Sequence, residues 1–369
     1  MKNLAVLFPF RRLLLAGGLI FAAAISSVRL AADPAYTFKR GANVSHWLSQ
    51  NEGRLSYAAP WFGPSDIDWL ARQGFDHIRL PVDFRQCLRP DGTLDEAKVA
   101  PISAAIGWAR ARGLGVVLDA HFLPGGDFNA NGGDSRIYTD PAIEAKAANC
   151  WRLMARHFAG EGPNVRFEIL NEPVAPENRL LNPVMHHLLA VIRESNPTRI
   201  VYVTSNKWSS FHTVDDVVLP DDPNVALTIH FYEPLIFTHQ GAPWVGFKRD
   251  LPPVTFPGVV PDVTGYTLPN FTLHLHPGDP INAEQIEATF ASVSAWLARH
   301  APKIEVYVGE FGVYQPAPAD SKRRWIQTVR TAAERRGWGW AVWEYGDFGF
   351  GVRSRDGAGT PVLAGLFSR

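Results

Sequence analysis

The stretch VRFEILNEP, residues 165–173, runs out of an apolar segment into an amide, a carboxylic acid and a proline. A strand that feeds a protein core has no packing use for a carboxylate at its tip, so Asn171 and Glu172 raise a question of chemistry. A second carboxylate, Glu310, closes the run IEVYVGEFG in the same way, and Arg79, His121, His230, Tyr232 and Trp343 each stand at the end of a comparable run. Two carboxyl groups whose surroundings separate their pKa values can share the breaking of a glycosidic bond: one protonates the leaving oxygen, the other acts at the anomeric carbon. An arginine beside Glu310 would keep that carboxylate ionised, and a histidine beside Glu172 would assist its cycling between acid and base. Trp343 offers a flat apolar face to a sugar ring.

Each of these residues also has a plainer reading. A strand-end glutamate pairs with an arginine as readily as it catalyses, which makes Arg79 an ion-pair partner and nothing more. By the same reasoning His121 and His230 are hydrogen-bonded core histidines, Tyr232 caps its strand, and Trp343 fills the core. The joint placement of all of them at the ends of one strand series is what favours chemistry.

That series is legible in the chain. FKRGANVS, FDHIRLPV, LGVVLDAH, VRFEILNEP, RIVYVTSN, VALTIHFYEP, IEVYVGEFG and GWAVWEYGD are eight short β-branched or aromatic runs, each followed by a polar or Gly/Pro cluster. Between several of them lie amphipathic segments with apolar residues at helical spacing, such as AIEAKAANCWRLMARHF and IEATFASVSAWLARH. Alternation of this kind predicts an α/β fold, a single-domain (β/α)8 TIM barrel, whose strand ends share one mouth. The fifth helix is the weakest, with only a short piece near Trp208 to Val217 to supply it. Residues 237–282 form a long Pro-, Gly- and aromatic-rich insertion after the sixth strand. A loop of that length serves either function or cover for the barrel rim.

The 369 residues carry 36 basic and 36 acidic side chains, a formal net charge of zero. This gives no electrostatic reason to expect nucleic acid or an anionic membrane as partner, and points to a neutral or weakly charged substrate. A monomer is the default expectation. Lys2, Arg11 and Arg12 precede the apolar run Leu13 to Val28, the pattern of a Sec-type signal peptide, so residues 1–32 are set apart from a catalytic domain at 33–369. Secretion or delivery to the periplasm follows, with an uncleaved anchor as the alternative; the Arg11-Arg12 pair fits twin-arginine export poorly. Cys87 and Cys150 are the two cysteines, too few for a disulfide framework, and either pair or remain buried thiols.

Taken in order, HIRLP, ILNEP, IHFYEP, VGEFG and AVWEYGD resemble glycoside hydrolase family 5, the cellulase-type retaining β-glycanases. The resemblance spans nearly all of the mature chain. It implies double displacement with Glu172 as acid/base and Glu310 as nucleophile. It further implies Asn171 at the sugar 2-hydroxyl, Tyr232 on the nucleophile, His230 near the acid/base, and Arg79 supporting the nucleophile. His121 falls in a sugar subsite and Trp343 is the stacking tryptophan; no cofactor is implied. His46, Trp47, Trp208 and Trp244 are further subsite candidates, each equally well read as structural. The expected activity is that of an endo-β-1,4-glucanase acting on cellulose-type polysaccharide, with β-mannan and β-1,3-glucan as alternative substrates.

Two other classes compete. Asp119, His121, Glu172, His230 and Glu310 read as metal ligands, but the first strand ends in Asn43-Val44-Ser45-His46 and the fifth in Thr204-Ser205-Asn206, so neither usual barrel template is filled and no metal is expected. A catalytically silent sugar-binding barrel would be expected to lose a reactive group, and both glutamates are present.

Overall fold

The computed structural model describes residues 36–51, 61–128, 133–245, 251–263 and 276–367. The export segment at 1–32 lies outside them. Among the described residues no helix is long and apolar enough to cross a membrane.

Among the described residues there are ten strands: β1 (Arg40–Asn43), β2 (His77–Asp83), β3 (Gly115–Phe122), β4 (Val165–Glu168), β5 (Val201–Thr204), β6 (Val225–Phe231), β7 (Gly258–Val259), β8 (Pro280–Ile281), β9 (Glu305–Phe311) and β10 (Gly339–Val342). Eight of them close into an all-parallel barrel in the ring order β1, β10, β9, β6, β5, β4, β3, β2. Each of the eight predicted runs supplies one barrel strand. β2, β3 and β6 are buried along their full length, as strands lined on both faces must be.

The helices form where the sequence stops them cleanly. Glu96–Arg110 and Pro141–His157 start at Asp95 and Asp140, whose carboxylates accept the amides of Ala97 and Ala142. Ala283–His300 starts at Asn282, which accepts from Gln285, and turns Ile286, Phe290, Val293 and Trp296 to the barrel. Pro64–Gln73 ends on Gly74 at φ +94°, where a side chain would be strained.

Inside the ring the side chains stack in layers. Phe38, Val117, Tyr202, Ala226, Tyr307 and Ala341 form an apolar cluster of their own. Polar pairs are threaded through it: His77 Nε2 lies 2.9 Å from the Tyr307 hydroxyl, and Arg166 donates to the Tyr202 hydroxyl and to Glu305 at 2.6 Å each. Asn43 and Glu168, the last residues of β1 and β4, and Arg79 and Asp119, inside β2 and β3, sit fully buried.

Two segments depart from regular alternation. After β5 the chain makes a tight turn with Lys207, Trp208 and Ser209 all at positive φ, then short 3-10 turns over Phe211–Asp216, so the expected fifth helix is replaced by irregular backbone. The insertion is more ordered than its composition suggests. β7 and β8 pair antiparallel, and Val254, Phe256, Val260 and Ile281 are buried. The Gln240 amide also clamps Val254, accepting from its N–H at 3.1 Å and donating to its carbonyl at 3.0 Å. The described part of the insertion is therefore packed cover. Cys87 and Cys150 are both buried and free.

Candidate active site

Arg79 reaches the centre of the mouth from β2, and its five N–H donors are all committed. Nε and Nη2 bind the two oxygens of Glu168 at 2.7 and 3.0 Å. Nη1 donates to Asn43 Oδ1 at 2.9 Å and Glu310 Oε1 at 2.7 Å, and the other Nη2 hydrogen goes to Asn171 Oδ1 at 2.7 Å. Asp119 Oδ2 lies 3.1 Å from the same nitrogen. A fully buried guanidinium surrounded this way stays charged and fixes every acceptor around it.

Glu310 is held from two sides. Arg79 binds one oxygen, and the Tyr232 hydroxyl donates to the other at 2.9 Å. Burial pushes this carboxyl up to about 7, while Arg79 and the Tyr232 hydrogen bond pull it down. Glu172 has different surroundings. Its one close partner is His230 Nδ1, 2.9 Å from Oε1, and its side chain keeps 14% exposure. Burial first, then the charge of Glu310, holds Glu172 well above the ordinary carboxylate range. Its backbone sits at φ +41°, a conformation rare outside glycine, so the turn after β4 is strained where it presents the acid. His230 is neutral, because burial and then the Arg79 charge lower it well below its usual value.

One donor atom from each of Glu172, His230 and Glu310 lies within 4.8 Å of the others. Both carboxylates therefore address the same small volume. β4, which leads to Glu172, and β9, which carries Glu310, stand three places apart around the ring of eight. Three of the five residues read as a metal set converge here, but a cation at Glu310 would displace bonds already made by Arg79 and Tyr232.

His121 and Trp343, read from the sequence as sugar contacts, lie side by side. His121 Nδ1 pairs with Asp119 Oδ2 at 2.8 Å, and its ring lies parallel to Trp343, 7° apart with centroids at 5.9 Å. His121 Nε2 and Asn171 Nδ2 are buried without a hydrogen-bond partner among the described residues. Buried polar atoms of this kind usually await a ligand or an ordered solvent partner. Trp208 leans on the loop that carries Glu172: its N–H donates to the Pro173 carbonyl at 3.1 Å and its Nε1 to Phe128 O at 3.0 Å. Trp244 is half exposed at the rim beside Tyr314 and Phe350. Trp47 takes the structural of its two readings: it is 2% exposed and packed on Phe62 and Trp108 in the core.

Sequence reasoning passed over Glu168, Asn43 and Glu344. Glu168 had a signal, since Arg166 and Glu168 share one face of an otherwise apolar strand.

The model for the cellulase family, glycosyl hydrolase family 5, matches residues 41–349. The chain belongs to glycoside hydrolase family 5. It is 29% identical to endoglucanase C of Acetivibrio thermocellus over 332 residues, covering 87% of this chain and 94% of that protein. Cellodextrinase A of Ruminococcus flavefaciens is 27% identical, covering 81% and 82%. Among solved structures, the cellulose synthase subunit Z of Clostridioides difficile superposes with a TM-score of 0.72 at 26% identity, covering 90% of this chain and 100% of that one. Family 5 membership makes this protein a glycoside hydrolase.

Proposed function

We propose that the protein is a retaining endo-β-1,4-glucanase in which Glu310 is the nucleophile and Glu172 the acid/base. The observation that carries this reading is the pair of carboxylates within 4.8 Å, one fixed by Arg79 and Tyr232 and the other by neutral His230. Retention needs carboxyl groups about 5–5.5 Å apart, whereas inversion needs about 6.5–9.5 Å to admit a water. The endoglucanase names of its relatives support the β-1,4-glucan assignment.

In the first step Glu310 attacks the anomeric carbon while Glu172 gives its proton to the departing glycosidic oxygen. His230 accompanies that proton at Glu172 Oε1. The glycosyl ester on Glu310 is then hydrolysed by water that Glu172, now a carboxylate, deprotonates. Arg79 and Tyr232 release Glu310 oxygen density as the ester forms and recover it when the carboxylate returns. Asn171 Nδ2 and His121 Nε2 supply donors or acceptors for sugar hydroxyls, and Trp343 supports the ring.

The test is product release by the purified mature domain from carboxymethyl-cellulose, barley β-glucan, glucomannan, galactomannan and laminarin. Glu310→Ala should lower turnover at least ~10³-fold. Preference for mannans or laminarin would keep the mechanism and overturn the substrate. Equal activity in the variant would remove Glu310 from the chemistry. Export to the periplasm or exterior is supported by the charged and apolar N-terminal pattern; N-terminal sequencing of protein recovered outside the cytoplasm should start near residue 33 if the segment is cleaved.

A further inference from the structure

Glu344 is a fully buried carboxylate that no step of the hydrolysis uses. Its Oε2 is bound by the Ser45 hydroxyl and lies 3.2 Å from His46 Nδ1, while Oε1 accepts the backbone N–H groups of Phe348 and Phe350 at 3.1 and 3.3 Å. One side chain thus ties the loop after β1 to the loop after β10. The tie orients an aromatic surface. The Phe348 ring stacks on His46 at 4.7 Å and 24°, and Trp61 meets Phe348 edge-on at 5.3 Å. Gly346 makes room, since a Cβ there would lie 2.9 Å from the Phe348 ring. Phe348 keeps 41% exposure although His46 stacks on its ring and Trp61 meets it edge-on.

The position of this surface in the ring gives it a ligand. β10 stands diametrically opposite β4. Glu172, after β4, protonates the leaving group, so the departing part of the chain lies on the β4 side. The retained part must then run across Glu310 toward β10 and β1, over Trp343 and on toward His46, whose ring centroid is 6.3 Å from that of Trp343. Resting on the glucan reading above, we infer that Phe348, backed by His46 and Trp61, is a stacking shelf for a glucose unit on the retained side beyond Trp343. Glu344 is the positioning residue that sets the shelf. A pyranose presents one face of axial C–H groups, which a phenyl ring receives without directional hydrogen bonds. The shelf therefore selects for chain length and for an unbranched, flat backbone.

The experiment compares cellotriose through cellohexaose as substrates for the wild type, Phe348→Ala, Phe348→Tyr and Glu344→Gln. Phe348→Ala should raise KM for cellohexaose about 5- to 10-fold with little change in kcat, the range expected for loss of one aromatic stacking contact, and should affect cellotriose much less. Phe348→Tyr should restore wild-type KM. Glu344→Gln, which swaps an acceptor for a donor opposite Ser45 and His46, should reproduce the Phe348→Ala pattern. Equal KM ratios across all lengths in Phe348→Ala would overturn the shelf, even if Glu344→Gln fails to fold. A wild type inactive on every cello-oligosaccharide would overturn the glucan reading itself, and the shelf with it.

Discussion

Glu172 and Glu310 carry the same functional group in different company, and the difference suits the two roles proposed for them. Glu310 has a guanidinium and a phenol on its oxygens; Glu172 has a neutral imidazole. Both are raised by burial, but Glu172 is also raised by the charge of Glu310, so the proton stays with Glu172. In the proposed mechanism the active form has Glu310 ionised and Glu172 protonated. Activity should rise through about pH 7 as Glu310 loses its proton, then fall at higher pH as Glu172 loses its own, giving a bell in kcat/KM. Glu172→Gln should abolish the alkaline limb and reduce glucan hydrolysis about 10²- to 10⁴-fold, with a smaller loss on aryl glycosides whose leaving groups need no proton. The same variant should raise Tm at pH 8. An acid whose folded pKa is raised destabilises the protein progressively as pH climbs from the unfolded value toward the folded one, and Gln never ionises. An unchanged alkaline limb would transfer that titration to another group.

At the level of elements, the strands hold their functional side chains by alternation, and the layers leave little slack. Gly309 immediately precedes Glu310, the proposed nucleophile, and a Cβ there would come 2.6 Å from Thr228 Oγ1 and 3.2 Å from His230 Nε2. Gly309→Ala should therefore displace both His230 and Glu310, lowering kcat by at least about tenfold and stability by about 1–3 kcal/mol, with far-UV circular dichroism retained. Normal kinetics in that variant would show that β6 and β9 separate easily. The eight strands were legible because each is a short apolar run closed by turn residues, and helices such as Pro141–His157 and Ala283–His300 because apolar residues recur in them at helical spacing. The fifth helix was not, because the turn at Lys207 to Ser209 depends on positive φ in residues that carry no such preference. β7 and β8 escaped notice because two-residue strands have no period to detect. At the site, Glu172, Glu310 and their immediate helpers were readable as strand-end polar residues. Asn43 and Glu344 were not, since their use appears only when β1 and β10 become neighbours.

For the molecule as a unit, closure of the ring and construction of the site are one event. Arg79, on β2, holds groups from β1, β3, β4 and β9, together with Asn171 just past β4. Removing it strands three buried carboxylates, Asp119, Glu168 and Glu310, without this counter-charge. Arg79→Ala should cost about 3–5 kcal/mol of stability, read as a shift in urea midpoint, and Arg79→Lys should recover little because an ammonium cannot reproduce the fork. A variant as stable as the wild type would show that Glu168 and Asp119 take up protons at no cost.

The five acceptors around Arg79 come from parts of the sequence as far apart as Asn43 and Glu310. Contacts between such distant segments are the last to become favourable while a chain organises, because the intervening loops must already be confined. An assembling barrel can thus have most of its helices and several paired strands and still possess no nucleophile. Hydrolytic competence is in that sense a late milestone of folding, and a newly made chain stays inert toward glycans until its first and last strands have met.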